Sequence, residues 1–144
     1  MALKIQKHPK IVTKDKNKQE NGFLIPIFNI HDKFIDPDHI PKQIYLTVVS
    51  PGTVKGPHLH MKRWGCFTCI RGNVKVVVRK DGKYEEYYSG EKYEFASIEI
   101  PAGTSAAIQN IGDIDAYVLN MPCPAWHVDD QDDHPVEGWE YEFS

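Results

Sequence analysis

Short runs dense in apolar and β-branched residues, each closed by a turn signal, follow one another along most of the chain. They are Phe23–Ile30, Gln43–Val49, Gly65–Ile70, Val74–Arg79, Tyr84–Tyr88, Ser97–Ile100, Ala106–Gln109 and Ala116–Met121. Their Val, Ile, Tyr, Phe and Thr content marks them as strands. Between them stand Ser50-Pro51-Gly52, Arg71-Gly72-Asn73, Asp81-Gly82, Ser89-Gly90, Pro101-Ala102-Gly103 and Ile111-Gly112-Asp113. The stretch from Val74 to Tyr84 predicts a hairpin turning at Asp81-Gly82. No segment of helical length carries the apolar period of about 3.6 residues. Many short strands at this spacing predict an all-β sandwich or barrel, and a double-sheet jelly roll is one way to manage the sheet edges. Residues 1–20 are Lys-rich, with room for a short edge strand at Ile11–Thr13. After Met121 the pattern changes to an acidic, Pro-bracketed loop. It ends in Trp139, Tyr141 and Phe143, aromatics suited to laying the tail back on the barrel.

Composition narrows the function. A length of 144 residues is most simply one domain, 1–144, with a core at about 43–121. The 17 basic and 20 acidic side chains give a net charge of −3, which disfavours a nucleic-acid partner. There is no apolar run of membrane-spanning length, and the first residues lack the apolar segment of a secretory signal. Cys66, Cys69 and Cys123 cannot all pair within the chain. On a strand, Cys66 and Cys69 point to opposite faces, a poor start for a shared metal. Buried free thiols and a cytoplasmic setting are expected.

The candidate chemistry centres on His58-Leu59-His60. Residues two apart on a strand share a side, so both imidazoles face one way. Lys55, Lys62 and Arg63 flank them, and Arg71 and Lys75 lie further on. An imidazole among cations suits proton abstraction near neutral pH, and the cations suit a phosphate or diphosphate. Trp64, Tyr117 and Trp126 are candidates for stacking on a base or sugar, or for the core. The run Asp129, Asp130, Asp132 and Asp133 lacks the Gly and Glu of an EF-hand and reads as a solvated loop.

These residues resemble the cupin superfamily over roughly 43–121. Gly52, five residues, His58-Leu59-His60 and then Gly72 match its first motif; Pro101-Ala102-Gly103, Ala106 and Asn110 match its second. The resemblance implies a double-stranded β-helix barrel, here with extra N-terminal strands and a C-terminal tail. Metal-binding cupins place a Glu and a further His where this chain has Gly65 and Ala106, so no metal and no cofactor are expected. His127 and His134 are the other imidazoles a metal could seek. Lys55-Gly56-Pro57-His58-Leu59-His60 is similar to the strand of metal-free nucleotide-sugar cupins, the dTDP-4-dehydrorhamnose 3,5-epimerases and the dTDP-4-keto-6-deoxyglucose 3,4-ketoisomerases.

That resemblance makes His58 and His60 the catalytic candidates, with Lys55, Lys62, Arg63, Arg71, Lys75, Tyr117, Asn120 and Trp126 as substrate-binding candidates. It implies an isomerase of a nucleotide-linked 4-keto sugar, in polysaccharide or deoxysugar biosynthesis. The epimerases' Lys falls near Gly65 and their acid Tyr near Asn120, which favours isomerisation or one-carbon epimerisation over double epimerisation. The alternatives are a non-catalytic sugar- or metabolite-binding cupin and a metal-dependent cupin enzyme. A homodimer is expected, with Phe23–Ile30 pairing on a neighbour's sheet edge.

Overall fold

The computed structural model describes residues 3–144. It has eleven strands: β1 (Ile5–His8), β2 (Ile11–Lys14), β3 (Glu20–Leu24), β4 (Tyr45–Val49), β5 (Val54–His58), β6 (Gly65–Arg71), β7 (Asn73–Lys80), β8 (Lys83–Gly90), β9 (Phe95–Ile100), β10 (Ser105–Asn110) and β11 (Ala116–Asn120). A single 3-10 turn at Pro37–His39 is the only helical element among the described residues. One sheet runs β1-β9-β6-β11-β4 and the other β5-β10-β7-β8, all through antiparallel pairs. The two sheets close on each other as a jelly-roll barrel, in line with the strand-and-turn spacing and with the family resemblance.

Alternation decides what lies inside. On β7, Val74, Val76 and Val78 join the core, as do Ile98 and Ile100 from β9, Ile108 from β10 and Val118 from β11. Fully burying each such side chain contributes about 1.5–3 kcal/mol, so this one cluster fixes the register of both sheets. The outer face of β6 and β9 is also buried, but with polar groups. His8 Nε2 lies 2.6 Å from Ser97 Oγ, which in turn lies 2.5 Å from Thr68 Oγ1. Burial holds the His8 imidazole below its ordinary range.

Three expectations change. The run Phe23–Ile30 is strand only as far as Leu24. Pro26 has no N–H for a ladder, and Asn29 turns the chain by accepting the His31 N–H at 2.9 Å. The Ile11–Thr13 strand pairs with β3 in a separate two-stranded hairpin rather than edging the barrel. Finally, β1 joins the sheet through β9, although its Lys-flanked sequence gave no sign of it.

Cys66, Cys69 and Cys123 are free, and the first two are buried. Cys69 sits in the inner core while Cys66 is paired in register with Glu99 on the outer face. Burial, reinforced by Glu99, pushes the Cys66 thiol up to about 12, and burial does the same to Cys69. No helix among the described residues is long and apolar enough to cross a membrane.

Candidate active site

A cavity of about 300 Å³ opens between the two sheets at one end of the barrel. Its apolar floor includes Phe67, Ile100, Ala106 and Ile108; its polar wall includes Tyr45, His58, His60, Arg63 and Asn120. That volume is at the small end for ligand pockets and suits a sugar ring better than a whole nucleotide sugar. The histidines arrive on β5 and the residues after it. Gly56 allows this approach: its φ is +98°, and a Cβ there would stand 2.9 Å from the Ala106 carbonyl oxygen. The strand ends at His58, so His60 lies just beyond it. The two rings nevertheless share a side, 6.2 Å apart and 16° from parallel.

The two imidazoles have different surroundings. His58 is half exposed, and its Nδ1 lies 3.5 Å from an Asp133 carboxylate oxygen. Its Nε2 has no hydrogen-bond partner among the described residues. His60 is locked. Its Nδ1 lies 2.5 Å from the Asp132 backbone carbonyl, which can only accept, so Nδ1 carries the proton. One Arg63 guanidinium nitrogen lies 3.0 Å from Nε2 and 3.3 Å from Nδ1, so the cation stands over the ring rather than on the Nε2 lone pair. Burial, with Arg63 adding to it, holds the His60 imidazole below its ordinary range against the opposing pull of Asp132.

The remaining wall is set by an asparagine and a tyrosine. Asn120 Nδ2 donates to the Tyr45 hydroxyl at 2.6 Å, while Asn120 Oδ1 accepts the Cys66 N–H at 3.2 Å. Asn120 therefore lines the cavity with its amide committed to Tyr45 and the backbone. The Tyr45 oxygen is occupied as an acceptor, and its own proton has no acceptor among the described residues. The phenol is a donor facing the cavity.

Of the sequence candidates, Lys55, His58, His60, Arg63, Asn120 and Trp126 line the cavity together. Arg63 is not a free anion clamp, because it also donates to Asp130 at 3.0 Å in a largely buried pair. Lys62, Arg71, Lys75 and Tyr117 are elsewhere. The Lys62 side chain is exposed, and only its backbone N–H serves the site. Tyr117 points outward from β11, with the Arg71 guanidinium 5.6 Å from its ring centroid. Lys75 alternates with the core valines of β7 and so faces out, where its Nζ donates to the Tyr141 hydroxyl at 2.7 Å. Trp64 stacks on His39 with 3.8 Å between ring centroids, outside the cavity lining.

The acidic run is a correction of a different kind. Asp130 and Asp132 are withdrawn from solvent, on Arg63 and on the backbone of 61–63, whereas Asp129 is exposed as expected and Asp133, though 63% exposed, reaches His58. His134 belongs to the same fold-back, through its N–H to the Leu59 carbonyl at 2.9 Å.

The donor set does not fit a metal ion. Gly65 and Ala106 occupy the positions where cupin ligands would stand, and Ala106 is paired in register with His58. One His60 nitrogen is protonated, and a guanidinium nitrogen lies within 3.3 Å of both. No cluster of three His, Cys, Asp or Glu groups able to hold a metal is found among the described residues. Ala106 lines the cavity with a small side chain beside His58.

Comparison with known proteins places this geometry in context. Residues 37–134 match the model of the polysaccharide biosynthesis C-terminal domain family. No curated protein matches the sequence. Among solved structures, a dTDP sugar isomerase from Desulfovibrio desulfuricans G20 superposes with a TM-score of 0.78 at 16% identity, covering 94% of this chain and 87% of its own. QdtA, a sugar 3,4-ketoisomerase from Thermoanaerobacterium thermosaccharolyticum solved with TDP, gives 0.66 at 18% identity, over 87% and 82% of the two chains. The capsular polysaccharide assembling protein CapF from Staphylococcus aureus gives 0.60 at 19% identity; 88% of this chain matches 31% of CapF, so the likeness spans about a third of that protein. At these identities the likeness establishes the cupin-type barrel.

Proposed function

The chain belongs to the family of polysaccharide biosynthesis C-terminal domains, and from that premise we propose that it isomerises or epimerises a nucleotide-linked 4-keto sugar with its own side chains as acid and base. The observation that carries this reading is the pairing of His58 and Tyr45 across one cavity, a base with an unpartnered Nε2 from one sheet and a hydroxyl donor from the other. Asp133 beside Nδ1 favours the proton there, leaving the Nε2 lone pair toward the substrate.

In the isomerisation, His58 Nε2 takes the proton from C3 of a bound 4-keto sugar. The C–H electron pair forms the C3=C4 bond, the carbonyl π pair moves to O4, and Tyr45 protonates that oxygen. The enediol then returns its O3 proton to the Tyr45 phenolate, forming the C3 ketone, as His58-H⁺ delivers its proton to C4. Epimerisation is the same first half followed by protonation of C3 on its other face by solvent water, with O4 returning its proton to the Tyr45 phenolate and His58-H⁺ releasing its proton to solvent. The hydroxyl placed at the developing oxyanion is what lowers the barrier. The nucleotide and its diphosphate lie outward of the cavity, past Lys55 and the half-exposed Trp126.

Mass spectrometry of dTDP-, UDP-, GDP- and CDP-4-keto sugars incubated with the protein in heavy water tests this. Deuterium should enter one sugar, and His58→Asn should lower uptake about 10²–10⁴-fold while leaving binding within a few-fold. Tight binding of a sugar with no uptake would sink the enzyme reading in favour of a binding module.

The same reading includes a homodimer in the cytoplasm, where unpaired thiols persist. The β2–β3 hairpin exposes Ile11 (45%), Val12 (50%), Phe23 (48%) and Leu24 (48%), and a lone two-stranded hairpin is marginal in water. A second copy is the cover that suits it. Sedimentation should show a dimer that Phe23→Asp weakens; a monomer at high concentration would overturn it.

A further inference from the structure

The loop after the barrel is anchored at one residue, and the geometry points to Asp132 as a positioning residue: its carboxylate, seated on three consecutive backbone amides, sets the tautomer of His60 and places Arg63 and Asp133 in the cleft. The side chain accepts from the N–H groups of Met61 at 3.0 Å, Lys62 at 3.0 Å and Arg63 at 2.9 Å, and from His134 Nε2 at 3.1 Å. Consecutive amides converging on one point form a cradle for an anion, and here the anion is part of the chain. Asp132 is 7% exposed, so these contacts are made out of water, where each counts for more.

The seated carboxylate fixes the backbone on either side of it. The Asp132 carbonyl holds the proton of His60 on Nδ1 and leaves Nε2 bare, with the Arg63 guanidinium over the ring. The Asp132 N–H donates to Asp130 Oδ1 at 2.9 Å, and the other oxygen of Asp130 takes Arg63. The next residue, Asp133, is thereby delivered to His58. A base, an imidazole and a guanidinium thus depend on a residue that lines no part of the cavity. Asp132→Asn is the informative change. An amide presents N–H groups to backbone N–H groups on one side of the cradle, so the loop must shift and draw the carbonyl from His60.

The structural half of the inference stands by itself, and only the kinetic half rests on the isomerase reading. Nitrogen-15 NMR of the imidazoles, with His60 assigned through His60→Gln, reads the tautomer directly. The wild-type protein should show His60 protonated at Nδ1 and bare at Nε2; the reverse would overturn the proposal without any variant at Asp132. Asp132→Asn and Asp132→Ala should mix the two tautomers, whereas Asp129→Asn, an exposed carboxylate of the same loop, should leave them as they are. In heavy-water exchange with a substrate that binds, Asp132→Asn should lower kcat about 10–100-fold with KM within about threefold, the usual scale for a residue orienting a site's ligands. Unaltered tautomers in both Asp132 variants, or a loss confined to KM, would reject it. Absence of exchange in the wild type would count against the isomerase and leave the tautomer result intact.

Discussion

The chain leaves the barrel at β11 and returns to it twice, first as the loop 127–134 and then as the tail 136–144, and the two returns are held by different balances of contact. The loop is fixed by carboxylates: Asp130 on Arg63, Asp132 on three amides, Asp133 on His58. The tail lays aromatic rings over the outer face of the four-stranded sheet and adds a few hydrogen bonds, the Glu140 N–H to the Tyr84 hydroxyl at 2.6 Å and Gln109 Nε2 to the Ser144 oxygen at 3.1 Å among them. Trp139 meets Tyr84 edge-on at 5.2 Å, and Tyr141 meets Phe143 at 4.8 Å. Lys75 lies under this layer, 5.1 Å from the Tyr141 centroid. Burial works against its charge, yet the Tyr141 hydroxyl and Glu86 more than offset that and hold the ammonium above its ordinary range. Directional polar contacts orient side chains, which a reacting site requires; ring packing covers area with little demand on angle. The loop therefore orients the side chains of the cavity, and the tail adds cover to the sheet.

Two tyrosines test that division most sharply, because each sits in a polar network and each can lose only its oxygen. Tyr45→Phe removes the donor from the cleft, and deuterium uptake should drop about 100-fold with binding nearly unchanged. Tyr141→Phe removes the oxygen shared by Lys75 and Glu86 and should leave uptake unaltered while costing about 1 kcal/mol in urea unfolding. A Tyr45→Phe protein at full turnover would move the role of acid to another polar group of the cavity.

Acid should loosen the loop in stages. Burial by itself would raise the Asp132 carboxyl, but the amides of Arg63, Lys62 and Met61 and the His134 ring outweigh it and bring it down to about 2, against an ordinary 3.8. As pH falls the unfolded chain takes that proton first, so this stabilisation is whole above about 3.8 and is lost on the way down through 2. His8 and His60 also lie below their ordinary 6.5, so stability begins to fall earlier, as pH drops below 6.5 and through their depressed values. Urea midpoints measured from pH 8 to pH 2 should show both declines, with His60→Gln flattening the upper one and Asp132→Asn the lower. A profile that is flat down to pH 4 in the wild type would contradict the upper decline.

The barrel was legible from β-branched runs closed by turns, and the paired histidines from the rule that residues two apart on a strand share a side. Alternation also carried a signal against Lys75 and Tyr117, since each sits between core residues of its own strand, Val74 and Val76 in one case and Ala116 and Val118 in the other. Tyr45 was harder to place. Its neighbours Leu46 and Val48 are apolar yet point outward, 49% and 41% exposed, so the strand's polarity does not say which face is inside. The acidic run was illegible for a deeper reason. Charge density alone makes such a run look solvated, and what neutralises Asp132 is backbone N–H, which nearly every residue has and no side-chain pattern records.

The smallest effect concerns the tail's own flaw. Trp139 Nε1 is buried without a hydrogen-bond partner, and its ring lies 5.9 Å from the Arg79 guanidinium carbon. An unsatisfied buried N–H costs about 1–3 kcal/mol, which offsets part of what the indole contributes by covering the sheet. Trp139→Phe discards the orphan donor and keeps a ring against Tyr84, so its urea midpoint should stay within about 0.5–1 kcal/mol of wild type. Trp139→Ala discards the ring as well and, at a half-buried site, should cost about 2 kcal/mol, below the usual range for a core aromatic. Neither change should touch deuterium uptake or the His60 tautomer. If the Phe variant lost as much stability as the Ala variant, the indole N–H would be satisfied by an ordered water, and directional contacts would carry more of the tail's hold than its rings suggest.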